Sequence, residues 1–443
     1  MRILQIALLA LFALTAFAHA QTGSGKSPAQ LNAEINADCP DNIIGLCTPF
    51  IYRRDLLDIV ASSTPASNLA NYGAKCDGVT NDGPAISQWL TATVAVGKPA
   101  YFTGTCAFAA PIVLPAVDNV TIIGSSPGAS VLVYTGTNTN TDIISIGNNG
   151  IACCDGQHKG LHFQNWQLKS NTSMTGGAAM HFQQIVRSDL YNWWVCSQDC
   201  TNNFYHGVWF DGIDVIRWCG VSGQAKQDVV RVNGWFGGTN GSDLWIDCGG
   251  KISGGTVGVR IGGGFGGFYC GSADVIANGI NALIDTTITG TANLQFLLGP
   301  LCVLDSAVVN DFRISDTMAT SGSSGIIVLN GTWFASSGSH CILIDAGVQY
   351  PIYMTGGTIT NCLADGVHNL SNAVRFFLTG TRISNNVGFG ISSVAMAGGQ
   401  IFAQSDFFNN TAGGFTANVT VGVVCAGVTA GTVTSQNGIL THC

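Results

Sequence analysis

From His181 onward the chain returns, about every 20–30 residues, to one short phrase of apolar residues closed by Gly, Asn or Asp. It is visible as Gly207-Val-Trp-Phe-Asp-Gly212, Val229-Val-Arg-Val-Asn-Gly234 and Gly258-Val-Arg-Ile-Gly262. It continues as Ala282-Leu-Ile-Asp285, Ile326-Ile-Val-Leu-Asn-Gly331, Cys341-Ile-Leu-Ile-Asp345, Gly366-Val-His-Asn-Leu370 and Gly388-Phe-Gly-Ile391. A unit this short cannot bury a core alone, so neighbouring units must stack and share one. Within each phrase successive side chains point to opposite faces. Stacked coils then bring corresponding positions to ~4.8 Å from one another. The repeat therefore predicts a solenoid of short parallel strands with columns of side chains along its outer wall.

Composition agrees with many short strands turned by small residues. Of 443 residues, 58 are Gly, 46% are hydrophobic and only 9% are charged. A net charge of -8 argues against nucleic acid or an anionic membrane as partner. Glu34 is the one glutamate, so carboxylate chemistry in the body must use Asp. Residues 1–20 read as a signal peptide, with Arg2, an apolar run from Ile3 to Phe17 and Ala18-His19-Ala20 as the cleavage site. The expected product is secreted or periplasmic. Residues 21–67 read as an N-terminal head and linker, 68–415 as the solenoid and 416–443 as a C-terminal cap. Sixteen cysteines in an exported chain point to disulfides. Cys39 with Cys47, and Cys425 with Cys443, can close terminal loops. Cys341 and Cys362, one coil apart, suit either a bridge or stacked thiols. Cys153-Cys154 and Cys196 with Cys200 lack the His partners of a zinc site, so no metal is expected.

The stretch Asn71 to Leu90 organises the start of the body. Tyr72-Gly73-Ala74 ends a strand, Gly73, Gly78 and Gly83 turn the loop, and Asn81 or Asp82 can cap a short helix. Pro84 fits its first turn, and Ile86, Trp89 and Leu90 give one apolar face. The run Tyr72-Gly-Ala-Lys-Cys-Asp-Gly-Val-Thr-Asn-Asp82 resembles the opening YGAxGDGxTDD of the pectate-lyase superfamily, departing from it at Cys76 and Asn81. The resemblance implies an all-β fold, a single-stranded right-handed parallel β-helix with an N-terminal capping helix. It also implies a Cys76–Cys106 bridge, because that fold brings the opening loop near the next strand. Lyases, hydrolases, epimerases and phage tailspikes share this opening, so it fixes no activity.

Alternation places Val208 and Phe210 in the core, with Trp209 and Asp211 outside. Aligning the following phrases puts Arg231 and Arg260 in the column of Trp209, and Asn233 in that of Asp211. Asp214, Arg217 and Asp228 lie nearby in sequence, and Asp243 and Asp247 extend the acidic set. Seven of the nine tryptophans (Trp166, Trp193, Trp194, Trp209, Trp218, Trp235, Trp245) fall in this middle region, and indoles on a flat face suit sugar rings. The expected catalytic set is Asp211, Asp214, Asp228 and Arg231. The expected substrate-binding set is Trp209, Arg217, Asn233, Arg260, Trp245 and Asp247.

Asp211 with Asp214, or with Asp228 across a coil, is read as able to meet the carboxyl spacings of glycoside hydrolysis. Elimination from a uronate instead needs a base and cations such as Arg217, Arg231 and Arg260. Asp285, Asp305 and Asp345 read as strand-ending turns, and His162, His181, His206 and His368 as packing or surface residues. Gly262 to Gly267 reads as a turn or a close backbone approach, not a phosphate loop. The expected function is cleavage of an extracellular polysaccharide by a lyase or glycoside hydrolase. Its rivals are a trimeric tailspike-like glycan-binding protein and a non-catalytic adhesin. No cofactor is expected, with calcium left open by the resemblance and no specific motif for it.

Overall fold

The short strands predicted by the repeat form throughout, and all of them in the body pair in parallel with the coils on either side. The computed structural model describes residues 68–415, apart from 97–98, 115–117, 148–157, 197–202, 235–242, 263–264, 286–292, 316–323 and 395–400. The expected signal peptide and head lie outside the described residues. So do Trp235 and the cysteines Cys39, Cys47, Cys153, Cys154, Cys200, Cys425 and Cys443. The C-terminal cap is described only in the antiparallel pairing of Ser435–Gln436 with Ile439–Leu440.

One wall of the solenoid is a twelve-stranded parallel sheet to which each coil gives one strand. A second sheet of 22 strands takes the rest of each coil and bends round its own corner. The coil at residues 206–227 shows the plan. His206–Asp211 lies in the twelve-stranded wall, and Gly212 (φ +66°) turns the chain. Asp214–Gln224 then runs through the second sheet, bending at Gly220 (φ +71°). Left-handed backbone is cheap for Gly, and short polar residues tolerate it at corners. Asn165, Asn192, Asn361, Asn385 and Asn409 all adopt it, at φ +45° to +58°.

The interior is filled by columns of apolar side chains. Phe182 stacks on Phe210, and Phe268, Phe296 and Phe312 form a continuous stack with centroids 5.2 and 5.0 Å apart. Trp166, Trp193 and Trp218 are wholly buried and pack on one another, so these tryptophans fill the core. Val208 and Phe210 point inward as alternation requires.

At the N-terminal end, helix Gly83–Val96 is longer than its apolar pattern promised. It buries Ile86, Trp89 and Leu90, with Trp89 edge-on to Phe102. That it covers the end of the solenoid stays an expectation. Asp82 is buried, and its carboxylate accepts the N–H groups of Lys75 and Cys76 at 2.8 and 3.0 Å. Asn81 accepts from Gly83 N and Ala109 N, tying the opening loop to the next coil. Cys76 takes φ +46°, a left-handed position where the motif ordinarily has Gly, and is bridged to Cys106.

Among the described residues, the disulfides Cys219–Cys248, Cys270–Cys302 and Cys341–Cys362 each join adjacent coils. The choice left open at Cys341 and Cys362 is thereby a bridge. Cross-links of this kind belong to an oxidising, extracellular-type compartment. No described helix is long and apolar enough to cross a membrane.

Candidate functional site

The twelve-stranded wall sets the register on which the site depends. Trp209 pairs with His181 in the preceding coil and Arg231 in the next, and Arg231 pairs with Arg260. Asp211 pairs with Asn233. Trp209, Arg231 and Arg260 thus share one outward column, and Asp211 and Asn233 the column beside it.

Trp209 stands in a stack. The His181 ring lies parallel to it at 4.7 Å, and the Arg231 guanidinium lies over it at 4.2 Å. Neighbouring coils hold both of these groups, so the indole is sandwiched between an imidazole and a guanidinium. His181 Nδ1 bonds Asp142 Oδ2 at 2.7 Å, and its Nε2 lies 3.8 Å from Asp211 Oδ2. Burial opposes a charge on His181, yet the carboxylates of Asp142 and Asp211 outweigh it and raise its pKa. Burial likewise works against ionised Asp142, while the bond to His181 holds its pKa below the usual value. Asp142, His181 and Asp211 thus form a carboxyl–imidazole–carboxyl row beside Trp209.

Beside it opens a depression of about 250 Å³, lined by Tyr205, His206, Gln227, Asp228, Arg231, Asn233, Arg260, Gly262 and Asp285. Asp228, nearly buried, accepts from Arg260 Nε at 2.9 Å and lies 3.3 Å from His206 Nδ1. Burial would raise its pKa, but His206 and Arg260 hold it low. Arg260 also bridges to Asp285. Gly262 borders the depression because a Cβ there would meet Asn233 Oδ1 at 2.3 Å. Close backbone approach is also seen at Gly267, whose Cβ would fall 2.0 Å from Asp243 Oδ1. Arg231 has no carboxylate partner among the described residues, and its Nε is buried without a hydrogen bond. The Asp211 carboxylate has His181 as its charged neighbour, at 3.8 Å.

The predicted residues divide between two walls. Asp211, Asp228, Arg231, Trp209, Asn233 and Arg260 share the first. The corner at Gly212 carries Asp214 and Arg217 onto the second sheet, where Arg217 pairs in register with Trp245. There Arg217 lies 3.7 Å from Asp247, and Trp245 stacks on Tyr269 at 4.1 Å. Burial raises the pKa of Asp214, and burial together with the Asp214 charge raises that of Asp243.

The expected Asp211–Asp228 pair is a correction. Asp211 faces Asn233 in register, five residues beyond Asp228, which separates the two backbones by ~16 Å along the strand. That exceeds the spacing of a hydrolytic pair. The histidines carry partners that the sequence did not reveal. His181, His206 and His368 each have an Asp partner, and His162 lies 3.5 Å from Asp189. Their partners come from other coils or from corners, so the signal was the register, which the loose repeat carried only in part. Asp142, Tyr205 and Asp285 were missed as site residues for the same reason.

No protein-family model and no curated protein matches the chain. Among solved structures, it is similar to the mannuronan C-5 epimerase AlgE4 A-module of Azotobacter vinelandii. That match has 12% identity over 79% of this chain and 99% of the other, with a TM-score of 0.52. An α-1,3-glucanase catalytic unit of Streptomyces thermodiastaticus gives 10% identity over 80% and 69%, with a TM-score of 0.47. The gp42 tailspike of Acinetobacter phage vb_AbaP_AS12 gives 12% over 82% and 66%, with a TM-score of 0.45. At these identities the likeness is one of architecture alone, and the chain's own strand order makes it a parallel β-solenoid.

Proposed function

We propose that the chain is a secreted enzyme acting on an extracellular acidic polysaccharide, on the twelve-stranded wall between His181 and Asp285. The observation that carries this reading is Arg231. It is a cation held at the rim of a polar depression, with no carboxylate of its own among the described residues. A uronate carboxylate would complete it, and neutralising that carboxylate acidifies the C5 proton. Asp211, beside His181 on this wall, takes the role of base. As it removes the C5 proton, the electron pair forms the C4–C5 double bond and expels the glycosidic oxygen, which takes its own proton from solvent water. His181 orients Asp211 from below, Asn233 borders the pocket beside it, and Trp209 holds His181 and Arg231 apart. Asp228 serves Arg260 and His206 as an ion-pair partner. A carboxyl group held ionised by its contacts to Arg260 and His206 is a poor proton donor for hydrolysis. The fold likeness to a mannuronan C-5 epimerase module is compatible with uronate chemistry and adds nothing on the residues.

A second reading, glycoside hydrolysis, is favoured by a different observation. Asp214 and Asp243 on the second sheet both have pKa values raised by burial, and the Asp214 charge adds to the rise at Asp243, as expected of neighbouring carboxyl groups with a raised acid. Arg217, Asp247 and Trp245 would then serve that wall. Trimeric tailspike-like binding and adhesion without turnover are the non-enzymatic rivals. Incubation with neutral and acidic polysaccharides, followed by product mass spectrometry, separates them. Unsaturated uronate ends support the proposal. Saturated reducing ends move the chemistry to Asp214 and Asp243. Deuterium uptake at C5 without cleavage means epimerisation, and binding with no product means an adhesin or tailspike.

A further inference from the structure

On the same wall, five coils beyond Arg231, His340, Asp365 and His368 converge. Register carries the column from Arg231 through Arg260, Leu283, Arg313 and Leu343 to His368. His340 precedes strand Ile342–Ile344, and Asp365 precedes Val367–Asn369 in the next coil. Cys341 N donates to Asp365 O at 3.3 Å, so His340 and Asp365 hold corresponding places in stacked coils. We propose that His340, Asp365 and His368 form a binding site for one divalent transition-metal cation of the zinc type.

Three observations carry the proposal. One donor atom from each residue lies within 4.8 Å of the others. Asp365 Oδ2 is 3.5 Å from His340 Nδ1 and 2.7 Å from His368 Nδ1. Ligands bound at 2.0–2.1 Å to a tetrahedral ion sit about 3.3 Å apart. One pair is therefore already placed, and the other must open by roughly 0.6 Å, within reach of a small ring rotation.

The hydrogen bonding also fixes the state of the donor atoms. His340 Nδ1 accepts the backbone N–H of Asp365 at 3.2 Å, so this nitrogen is unprotonated, and its lone pair must turn from that N–H to meet an ion. Asp365 Oδ1 is held by Phe389 N at 2.7 Å, which fixes the carboxylate with Oδ2 facing the imidazoles. Such outer support is what orients ligands in metal sites.

Finally, the frame is rigid and open on one side. The Cys341–Cys362 disulfide lies next to His340 and joins the two coils that supply the ligands. The three side chains keep 20%, 12% and 27% of their surface exposed, leaving room for a water ligand. Two imidazoles and a carboxylate suit zinc, cobalt, nickel or iron(II) better than calcium, which prefers six to eight oxygens. The stacked rings, 4.2 Å apart, must splay to close on the ion.

The test is zinc binding by chelator-stripped full-length protein, read by calorimetry and elemental analysis. Cobalt(II) substitution then reports coordination through its visible spectrum. The expected result is one tight equivalent in wild type, lost or weakened by at least about tenfold in both His340→Gln and His368→Gln. Both variants keep the Asp365 bond to Phe389 N and should retain the wild-type circular dichroism. No tight equivalent in wild type, or a tight equivalent unchanged in both variants, overturns the proposal. Neither outcome bears on Arg231.

Discussion

Asp311 offers a prediction with a calculable size. It lies near the start of strand Asn310–Ser315, with no surface exposed. One carboxyl oxygen accepts from Asn281 Nδ2 at 2.9 Å, and the other is buried without a hydrogen-bond partner. Burial, reinforced by the charge of Asp305, lifts its pKa from 3.8 to about 9. The native state then keeps a proton that the unfolded chain releases above its ordinary pKa. The sign follows from that difference. The group's contribution is fully favourable below the unfolded value and is lost as pH rises toward about 9. From the unfolded pKa to pH 7 the loss is about 4 kcal/mol, at about 1.4 kcal/mol per pH unit.

Asp311→Asn preserves the shape and the oxygen that serves Asn281 but cannot titrate. Urea unfolding of both proteins across the range from about pH 4 to pH 8 measures the difference. The variant should match wild type near pH 4 and become progressively more stable above it. Parallel stability curves would mean that native Asp311 is ionised, and would refute the argument from burial.

Three further expectations follow from other contacts. Phe296→Ala breaks the stack between Phe268 and Phe312 and should cost about 3–5 kcal/mol in urea unfolding; a loss under about 1 kcal/mol would show that the column collapses to fill the gap. Asp142→Asn removes the carboxylate held by His181. It should cost about 2 kcal/mol, most fully between the ordinary Asp and His pKa values. The penalty should fade on acidification, as Asp142 itself protonates, and again as pH rises through the elevated pKa of His181. A penalty independent of pH would argue against the charged pair. Non-reducing peptide mapping should recover Cys219–Cys248, Cys270–Cys302 and Cys341–Cys362 as linked peptides, and free thiols at these positions would contradict the cross-linked coils.

The architecture was legible because apolar alternation and a loose repeat constrain every coil in the same way. Val208, Phe210 and the shared column of Trp209, Arg231 and Arg260 follow from that pattern alone. The Cys76–Cys106 bridge followed from the opening motif. What a column does was harder to read. Register says which residues are neighbours but not that His181 and Arg231 would stack on Trp209. Nor does it say that Asp228 would be occupied by His206 and Arg260. Corners were harder still. Gly212 moves Asp214 to another sheet only three residues after Asp211, and sequence proximity gave no warning. The corner cysteines 219, 248, 270 and 302 were not paired for want of the same information, although their separations of 29 and 32 residues are close to one coil.

The central claim is that Arg231 waits for a sugar carboxylate. It is tested most directly by calorimetric titration of oligouronates and of the same oligosaccharides with their carboxyl groups reduced to alcohols, against wild type and Arg231→Gln. The account predicts that wild type prefers the charged series by at least about tenfold, as a charge-assisted contact worth over about 1.4 kcal/mol requires, and that Arg231→Gln loses the preference. Equal affinity of wild type for both series, or a preference that survives the substitution, would contradict it.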